Sequence, residues 1–394
     1  MKSVLRILIF LILCTSIPRA QLRVEGQAST AFVKANDGPS QYSFDGGNGS
    51  FAWRLDLFSD AIVSENITFL SNLRVIQDQI PHFDLFAIRV ADIASSGVSV
   101  QAGEIDIPFG NLSENRFPKE NPFLDLPLMN EHITALCRSD YKLWTLIQEY
   151  QIAGDGVCLL DQGLYDVGVK AYGSIGMFDY SVALINGMIS STGTYSPNGL
   201  NPNGGYGKVF RGAITPMTGL TLGASYAIGP FMKNESDLII DSDGNADTSA
   251  FFGISPDNYL QKIIGGDLSF SLEHFYFSGE IISNTWEYLD GVNLKAFSYS
   301  AEARYAFTPR VSGAIRAGGI SFNMVSGMKE LNAFFQPVLY TGKWDHDVFR
   351  LEGAVAYKLD RALLLKLGYE INRTFDLPRD PVDNVMFAQT VLSF

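Results

Sequence analysis

The chain has 394 residues, of which 46% are hydrophobic and 12% aromatic, with 29 basic and 42 acidic side chains. Its formal charge of −13 excludes the basic surface that a nucleic-acid partner requires. After the N-terminal leader no run of 18 apolar residues occurs, which excludes a membrane-spanning helix and leaves an exported soluble protein or an outer-membrane barrel.

The first elements in the chain, residues 1–20, have the pattern of a secretory signal peptide. Two basic residues precede an apolar run from Ile7 to Leu13, and the small residue Ala20 follows. The run is too short to span a bilayer. We therefore expect export through the inner membrane and cleavage after Ala20. Cleavage removes three basic and no acidic residues, so the formal charge changes from −13 to −16.

From residue 21 to residue 394, apolar and polar residues alternate with a period of two in many segments. In AFSYSAEARYAF at 296–307, alanine and aromatic residues occupy one face, and the other carries Ser298, Glu302 and Arg304. About sixteen such segments occur, which predicts an all-β fold, a 16-stranded antiparallel transmembrane β-barrel. The predicted strands lie near residues 22–33, 51–58, 67–76, 84–93, 98–107, 164–173, 177–187, 206–215, 219–229, 261–271, 275–287, 294–307, 310–323, 347–358, 362–373 and 385–394.

Short and long connections alternate between these predicted strands. The short ones lie at 95–97, 174–176, 217–219, 273–274, 308–309 and 359–361. The others, mostly long, lie at 34–50, 108–163, 188–205, 230–260, 324–346 and 374–384. Outer-membrane barrels have short periplasmic turns and long extracellular loops, whereas a soluble β-sandwich, whose half-buried strands also alternate, has no reason to sort its loops.

The chain stops on an aromatic residue that continues the apolar face of the last predicted strand. Met386, Ala388, Thr390, Leu392 and Phe394 share this face. We expect the last strand to pair with the first and Phe394 to face lipid, in the aromatic girdle at the periplasmic side.

Three segments resemble the phosphate-selective porin O and P family of Gram-negative outer membranes. They are AGEIDIPFGN, YDVGVKAYGSIGMFDYSVALINGM and FRGAITPMTGLTLGASYAIGPF. The likeness covers residues 98–230 and, loosely, the last three strands. It implies a sixteen-stranded, trimeric porin in the outer membrane, in contact with lipid and lipopolysaccharide. Such a channel admits small hydrophilic solutes passively, with anions such as phosphate among them, and uses no cofactor.

Eight basic side chains occupy the alternating strand positions that are predicted to face the lumen, and we therefore expect them to line the pore. They are Arg54, Arg74, Arg89, Arg211, Arg304, Arg316, Arg350 and Lys366. Acidic residues share that phase: Asp56, Asp166, Asp267, Glu280, Glu302, Glu352 and Glu370. The predicted lining is therefore mixed in sign, and charge selectivity stays open.

The connection at 108–163 is too long for an ordinary surface turn, and loops of this length are usually functional or disordered. It follows the fifth strand, where porins commonly fold a loop into the lumen, so we expect a constriction loop. A surface lid or a subunit contact is the alternative. Its candidate constriction residues are Glu114, Arg116, Lys119, Glu120, Asp125 and Glu131.

Cys137 and Cys158 are the only cysteines that remain after signal removal, and both lie in this loop. Because an exported chain meets an oxidising compartment, we expect them to form a disulfide, with two free thiols as the alternative. Such a bond would stiffen the loop.

No metalloprotease, redox-cysteine, nucleophile-elbow or phosphate-loop motif occurs, so neither a metal site nor an enzyme is predicted. The acidic stretch DLIIDSDGNAD at 237–247 lacks the glutamate that completes a calcium loop. Two other functions remain open: a barrel enzyme with a rim active site, and a soluble secreted β-sandwich that binds a ligand.

Overall fold

The computed structural model describes residues 21–35, 49–77, 79–112, 115–136, 157–160, 164–187, 189–190, 205–231, 239–240, 246–247, 259–287, 292–331, 337–375 and 384–394. The expected signal peptide lies outside the described residues, as do Glu114 and Cys137.

The strands in these ranges alternate with short turns and longer connections. They are β1 (Gln21–Ala35), β2 (Ser50–Ile62), β3 (Ile67–Ile76), β4 (His82–Val90), β5 (Val98–Asp106), β6 (Tyr165–Ile175), β7 (Phe178–Ile185), β8 (Gly207–Met217), β9 (Leu220–Pro230), β10 (Ile239–Ile240), β11 (Ala246–Asp247), β12 (Leu260–Leu272), β13 (Phe275–Glu287), β14 (Asn293–Ala306), β15 (Val311–Phe322), β16 (Met324–Leu331), β17 (Pro337–Lys343), β18 (Val348–Lys358), β19 (Leu363–Thr374) and β20 (Val385–Ser393). All but β10, β11, β16 and β17 form one closed antiparallel barrel, in which each strand pairs with the next along the chain. The predicted 16-stranded barrel is confirmed.

The barrel closes where the last strand pairs with the first. Thr30 on β1 lies opposite Thr390 on β20. At the end of the chain, Gly26 N donates to Phe394 O at 2.8 Å, and Phe394 N donates to Gly26 O at 3.0 Å. The Phe394 ring covers Gly26, where an added Cβ would lie 2.5 Å from Phe394 Cζ. Closure leaves the described barrel wall without an unpaired strand edge, which is the condition for a sheet to stand in lipid.

The two faces of the wall differ as the period-two pattern predicts. Ile263 is 0% exposed and faces inward, whereas its neighbour Ile264 is 62% exposed on the outer face. Large apolar side chains such as Phe297 and Leu367 are exposed in the same way on other strands. An outer face of exposed apolar residues matches the lipid-facing side of a membrane barrel.

β4 ends earlier in the structure than the sequence pattern predicts, because a turn follows it. The strand stops at Val90 and not at residue 93, because a 3₁₀ turn at Ile93–Ser95 follows it. Asp92 and Ala94 have positive φ angles of 47° and 53°, which end the extended backbone.

The sequence pattern also missed structure inside the long connections. Two small hairpins, β10–β11 and β16–β17, lie in connections that were predicted as loops. A four-residue helix, α1 (Leu128–Glu131), lies in the longest one. None of the helical segments in the described ranges has the length and hydropathy needed to cross a bilayer.

Candidate functional site

The first half of the long connection, residues 107–136 as described, lies against the inward-facing side chains of the barrel; we call it the inner segment. Gly110 N donates to Ser225 Oγ on β9 at 3.1 Å. Lys119 N donates to Gln27 Oε1 on β1 at 3.1 Å, and Gln27 Nε2 donates to Glu120 Oε2 at 3.0 Å. These contacts join strands that stand about half the circumference apart, so the inner segment extends across one half of the wall.

Lys366 on β19 holds a turn of the inner segment. Its ammonium donates to the main-chain oxygens of Pro118 at 2.8 Å, Asn121 at 2.9 Å and Phe123 at 3.5 Å. An ammonium group has three donors and no acceptor, so the three carbonyls match its hydrogen-bonding capacity. The lysine therefore fixes the main chain of residues 118–123 against the wall.

Arg304 on β14 binds the same region from a second strand. Its Nη1 donates to Glu120 O at 2.8 Å and its Nη2 donates to Asn115 Oδ1 at 3.0 Å. It also pairs with Glu302 on its own strand. The guanidinium lies 5.1 Å from the ring centroid of Tyr276. Arg304 thus joins the wall to both ends of the six-residue stretch 115–120 of the inner segment.

Arg316 on β15 joins a wall carboxylate to the inner segment. Its Nε and Nη2 donate to the two oxygens of Glu352 at 2.5 and 2.6 Å. Nη2 also donates to Asp125 O at 2.6 Å, and the guanidinium lies 4.4 Å from the ring centroid of Phe123. A two-point pair of this kind has a fixed geometry, so it positions the main chain at Asp125.

Arg350 on β18 makes the corresponding contact with α1. Its Nη1 donates to Glu131 Oε2 at 3.0 Å and to Leu126 O at 3.3 Å, and its Nε donates to Asn372 Oδ1 at 2.9 Å. Asp125 Oδ2 lies 3.9 Å from Nη1. The short helix is therefore tied to the wall through its acidic side chain.

Carboxylates outnumber guanidinium groups where the inner segment meets β18 and β19. Burial, together with the nearby Asp125 carboxylate, raises the pKa of the Glu131 carboxyl to about 8, against the opposing effect of Arg350. Burial also raises the pKa of Asp125, against the attraction of Arg350 and Arg316. The inner segment thus carries two carboxyl groups that hold protons at higher pH than free side chains do.

Trp344 and Asp345, between β17 and β18, hold the far end of the inner segment at the wall. Trp344 packs against Trp286 and Phe322 with centroid distances of 5.5 and 4.8 Å, and its Nε1 donates to Lys295 O at 2.9 Å. The adjacent Asp345 accepts a hydrogen bond of 2.8 Å from Ala135 N. Sequence reasoning missed these anchors, because aromatic and acidic residues in a long connection carry no periodic signal.

On the opposite half of the wall, two arginines share one buried aspartate. Arg54 Nε donates to Asp56 Oδ2 at 2.7 Å, and Arg74 Nε donates to Asp56 Oδ1 at 3.2 Å. Arg74 Nη2 lies 2.5 Å from Asp84 Oδ2, and His82 Nε2 lies 3.1 Å from Asp84 Oδ1. The positive charge of the two arginines is therefore offset by two carboxylates.

The remaining predicted residues occupy different surroundings. Arg89 is partly exposed and its Nη2 donates to Thr68 Oγ1 at 3.4 Å. Arg211 forms a two-point pair with Asp267. In the inner segment, the Arg116 guanidinium lies 4.1 Å from the ring centroid of Tyr165 on β6.

The structure changes the interpretation of three predicted pore-lining residues. The side chains of Arg316, Arg350 and Lys366 point inward, but they are only 3%, 1% and 1% exposed. They lie beneath the inner segment and not at an open surface. Strand phase predicts which side of the wall a side chain takes, and it carries no information on what covers that side.

The predicted disulfide cannot be placed, because Cys137 lies outside the described residues while Cys158 is buried. The pairing of the two cysteines stays a prediction. In the part of the chain that the structure describes, no group of three or more His, Cys, Asp or Glu side chains is arranged to hold a metal ion.

Comparison with known proteins gives structural similarity only. No protein-family model matches the sequence, and no curated protein matches it either. The fold is similar to an anion-selective porin from Comamonas acidovorans, with a TM-score of 0.60 and 10% identity over 95% of this chain and 100% of that one. It is also similar to the outer membrane channel DcaP of Acinetobacter baumannii, with a TM-score of 0.56 and 10% identity over 95% and 97% of the two chains.

A third similar structure is the trimer form of OmpT, an outer membrane protein of Vibrio cholerae. Its TM-score is 0.55 at 7% identity, over 95% of this chain and 99% of that one. At these identities the comparisons establish the porin barrel fold, and the resemblance to the phosphate-selective porin O and P family is not confirmed.

Proposed function

We propose that this chain is an outer-membrane porin, a passive diffusion channel for small hydrophilic solutes, exported with a cleaved signal peptide. One observation carries the proposal: a closed barrel has exposed apolar residues outside and paired, charged residues inside. Lipid favours the first face, and a water-filled lumen favours the second. The similarity to porin barrels agrees with this function.

The inner segment narrows the channel in this proposal. Its contacts from β9 to β1 occupy one half of the wall, which leaves a path beside strands β2 to β8. Phe117 and Arg116 extend toward that path, where Phe117 packs on Phe58 of β2 with a centroid distance of 4.8 Å and Arg116 stacks on Tyr165 of β6. Phe117 also lies beneath Arg54 of β2, whose guanidinium is 5.9 Å from the ring centroid. Solutes would therefore pass between these two contacts, along the wall formed by β3 to β5, which carries Arg74 and Arg89.

Anion preference, with phosphate as one candidate, is a finer part of the proposal. Support comes from Arg54, Arg74 and Arg89, which lie on three consecutive strands of the uncovered half. Asp56 and Asp84 offset two of these charges, so any preference should be modest. Ion selectivity follows from such rings of charge at a constriction.

A homotrimer is the assembly that we infer, on the basis of the trimer form of one similar structure. Mass measurement of the detergent-solubilised protein tests it directly. A monomer at all protein concentrations would contradict the inference.

Liposome swelling tests the channel function. Vesicles that contain the purified protein should swell in isotonic solutions of small sugars, at rates that fall as the sugar becomes larger. Absence of swelling with every sugar, together with hydrolysis of an ester or peptide substrate, would instead favour the barrel enzyme with a rim active site.

A further inference from the structure

Three lysines occupy one row on the outer face of the wall, near the ends of the strands that carry the long connections. Lys208 on β8 lies opposite Ile228, which lies opposite Lys262 on β12. Lys262 lies opposite Thr285, which lies opposite Lys295 on β14. The lysines therefore stand on alternate strands of a five-strand row; we call them the lysine row.

The spacing within the row follows from sheet geometry. Neighbouring strands lie about 4.8 Å apart, so successive lysines stand about 10 Å apart and the row extends over about 20 Å. Because barrel strands are tilted by about 35–45°, the row runs obliquely across the outer face. Flexible lysine stems can shift their ammonium groups along the wall and so reduce this difference in depth.

In each of these three strands an exposed apolar side chain follows the lysine by two residues, so the lysine lies nearer to the connection that precedes the strand. Phe210 follows Lys208, Ile264 follows Lys262 and Phe297 follows Lys295, and all three apolar residues are exposed. On β8 the Phe210 ring stacks on Tyr226 of β9 with a centroid distance of 6.4 Å. An apolar row with ammonium groups directly beyond it is the arrangement expected where hydrocarbon meets anionic headgroups.

The charge of the row contrasts with the rest of the chain, which is acidic overall at −13. Lys262 pairs with Glu287 on β13, whereas within the described ranges neither Lys208 nor Lys295 belongs to an ion pair. At the opposite margin of the outer face, exposed aromatic residues such as Phe178, Phe275 and Tyr305 occupy the strand ends. The row therefore places cations at one margin of these strands and aromatic rings at the other, while the exposed cations of the opposite margin, Arg310, Lys358 and Arg361, lie at the turns that follow β14 and β18.

We propose that the lysine row is a binding site for the phosphate groups of lipopolysaccharide in the outer leaflet. This inference rests on the proposed outer-membrane channel only for the assignment of the long connections to the cell exterior. Anionic headgroups attract lysines near the membrane surface by about 1 kcal/mol per residue, or about fivefold each. Three lysines should together change affinity on the order of 100-fold.

The test compares two triple variants of the full-length protein in detergent. One is Lys208→Gln/Lys262→Gln/Lys295→Gln. The matched control removes three exposed cations at the other end of the barrel, Arg310→Gln/Lys358→Gln/Arg361→Gln. Binding of purified lipopolysaccharide is measured by native mass spectrometry and by a fluorescence titration, with enzymatically dephosphorylated lipopolysaccharide and inorganic phosphate as further probes.

We expect the row variant to bind lipopolysaccharide on the order of 100-fold more weakly, and the control variant to bind as the unmodified protein does. Dephosphorylated lipopolysaccharide should bind both triple variants equally. Unchanged affinity of the row variant would overturn the proposal, and so would inorganic phosphate that binds as tightly as lipopolysaccharide.

Ion conductance separates this result from a failure of the channel proposal. The row lies outside the lumen, so the row variant should conduct as the unmodified protein does. A protein that binds lipopolysaccharide through the row but conducts no ions would refute the channel and leave the lipid site standing.

Discussion

Arg316 and Glu352 form a two-point ion pair on neighbouring strands, and the inner segment covers it. The guanidinium of the pair also holds the main chain at Asp125, 191 residues away in sequence. A buried pair of this kind contributes little by itself, because the loss of hydration offsets the attraction between the charges. The pair matters because it fixes the position of the inner segment against β15.

Removal of one partner of this pair should therefore be costly. Arg316→Met leaves the Glu352 carboxylate buried without its partner, which costs about 3–5 kcal/mol in comparable pairs. We expect a lower temperature for the heat-induced mobility shift in gels. The double variant Arg316→Met/Glu352→Met should recover much of the loss, and a double variant as unstable as the single one would contradict this account.

Lys366 provides a test of the turn at residues 118–123. Lys366→Met removes three hydrogen bonds to main-chain carbonyls, at about 1–3 kcal/mol for each buried group that is left unsatisfied. We expect the turn to leave the wall and the single-channel current to become larger or noisier. Lys358→Met, at an exposed lysine of β18, is the control and should leave the current unchanged.

The attachment of α1 should depend on pH through Glu131. Its pKa is raised from 4.5 to about 8 in the folded protein, so the bound segment retains a proton that a released segment loses. The stabilisation is complete below about pH 4.5, and it is lost as the pH rises to about 8. Hydrogen exchange of residues 126–132 should therefore accelerate over this range.

The variant Glu131→Gln isolates that effect, because its side chain cannot ionise. Exchange in this variant should vary much less with pH once the intrinsic pH dependence of exchange is subtracted. An equally steep dependence in the variant would show that another group governs the attachment.

Ion selectivity should respond to the arginines of the uncovered half. Replacement of Arg54, Arg74 and Arg89 by glutamate changes the local charge by six units and should lower the anion-over-cation permeability ratio. Each replacement contributes two of the six units, and replacement of Arg54 and Arg74 also leaves Asp56 without partners, so Arg89→Glu alone should cause a smaller change of the same sign. The reversal potential in a salt gradient measures the ratio, and an unchanged potential would show that these residues do not govern selectivity.

The wall could be predicted from the sequence because apolar side chains recur at every second residue in a strand that has one face in lipid. Ile263 and Ile264 show the limit of that signal, since both are apolar and only the structure shows that one is buried. The roles of Arg316, Arg350 and Lys366 could not be predicted, because they depend on contacts with residues as far as 248 positions away. The period-two alternation predicts that these side chains point into the barrel. Only the structure shows that they bind the inner segment.

The measurement that tests the central claim most directly is ion conductance of the purified protein in planar lipid bilayers. A closed wall around a wet lumen predicts discrete current steps that are proportional to voltage and that appear without any added solute. Protein that inserts into the bilayer, as shown by its heat-modifiable mobility after recovery, and yet produces no current steps would contradict the channel.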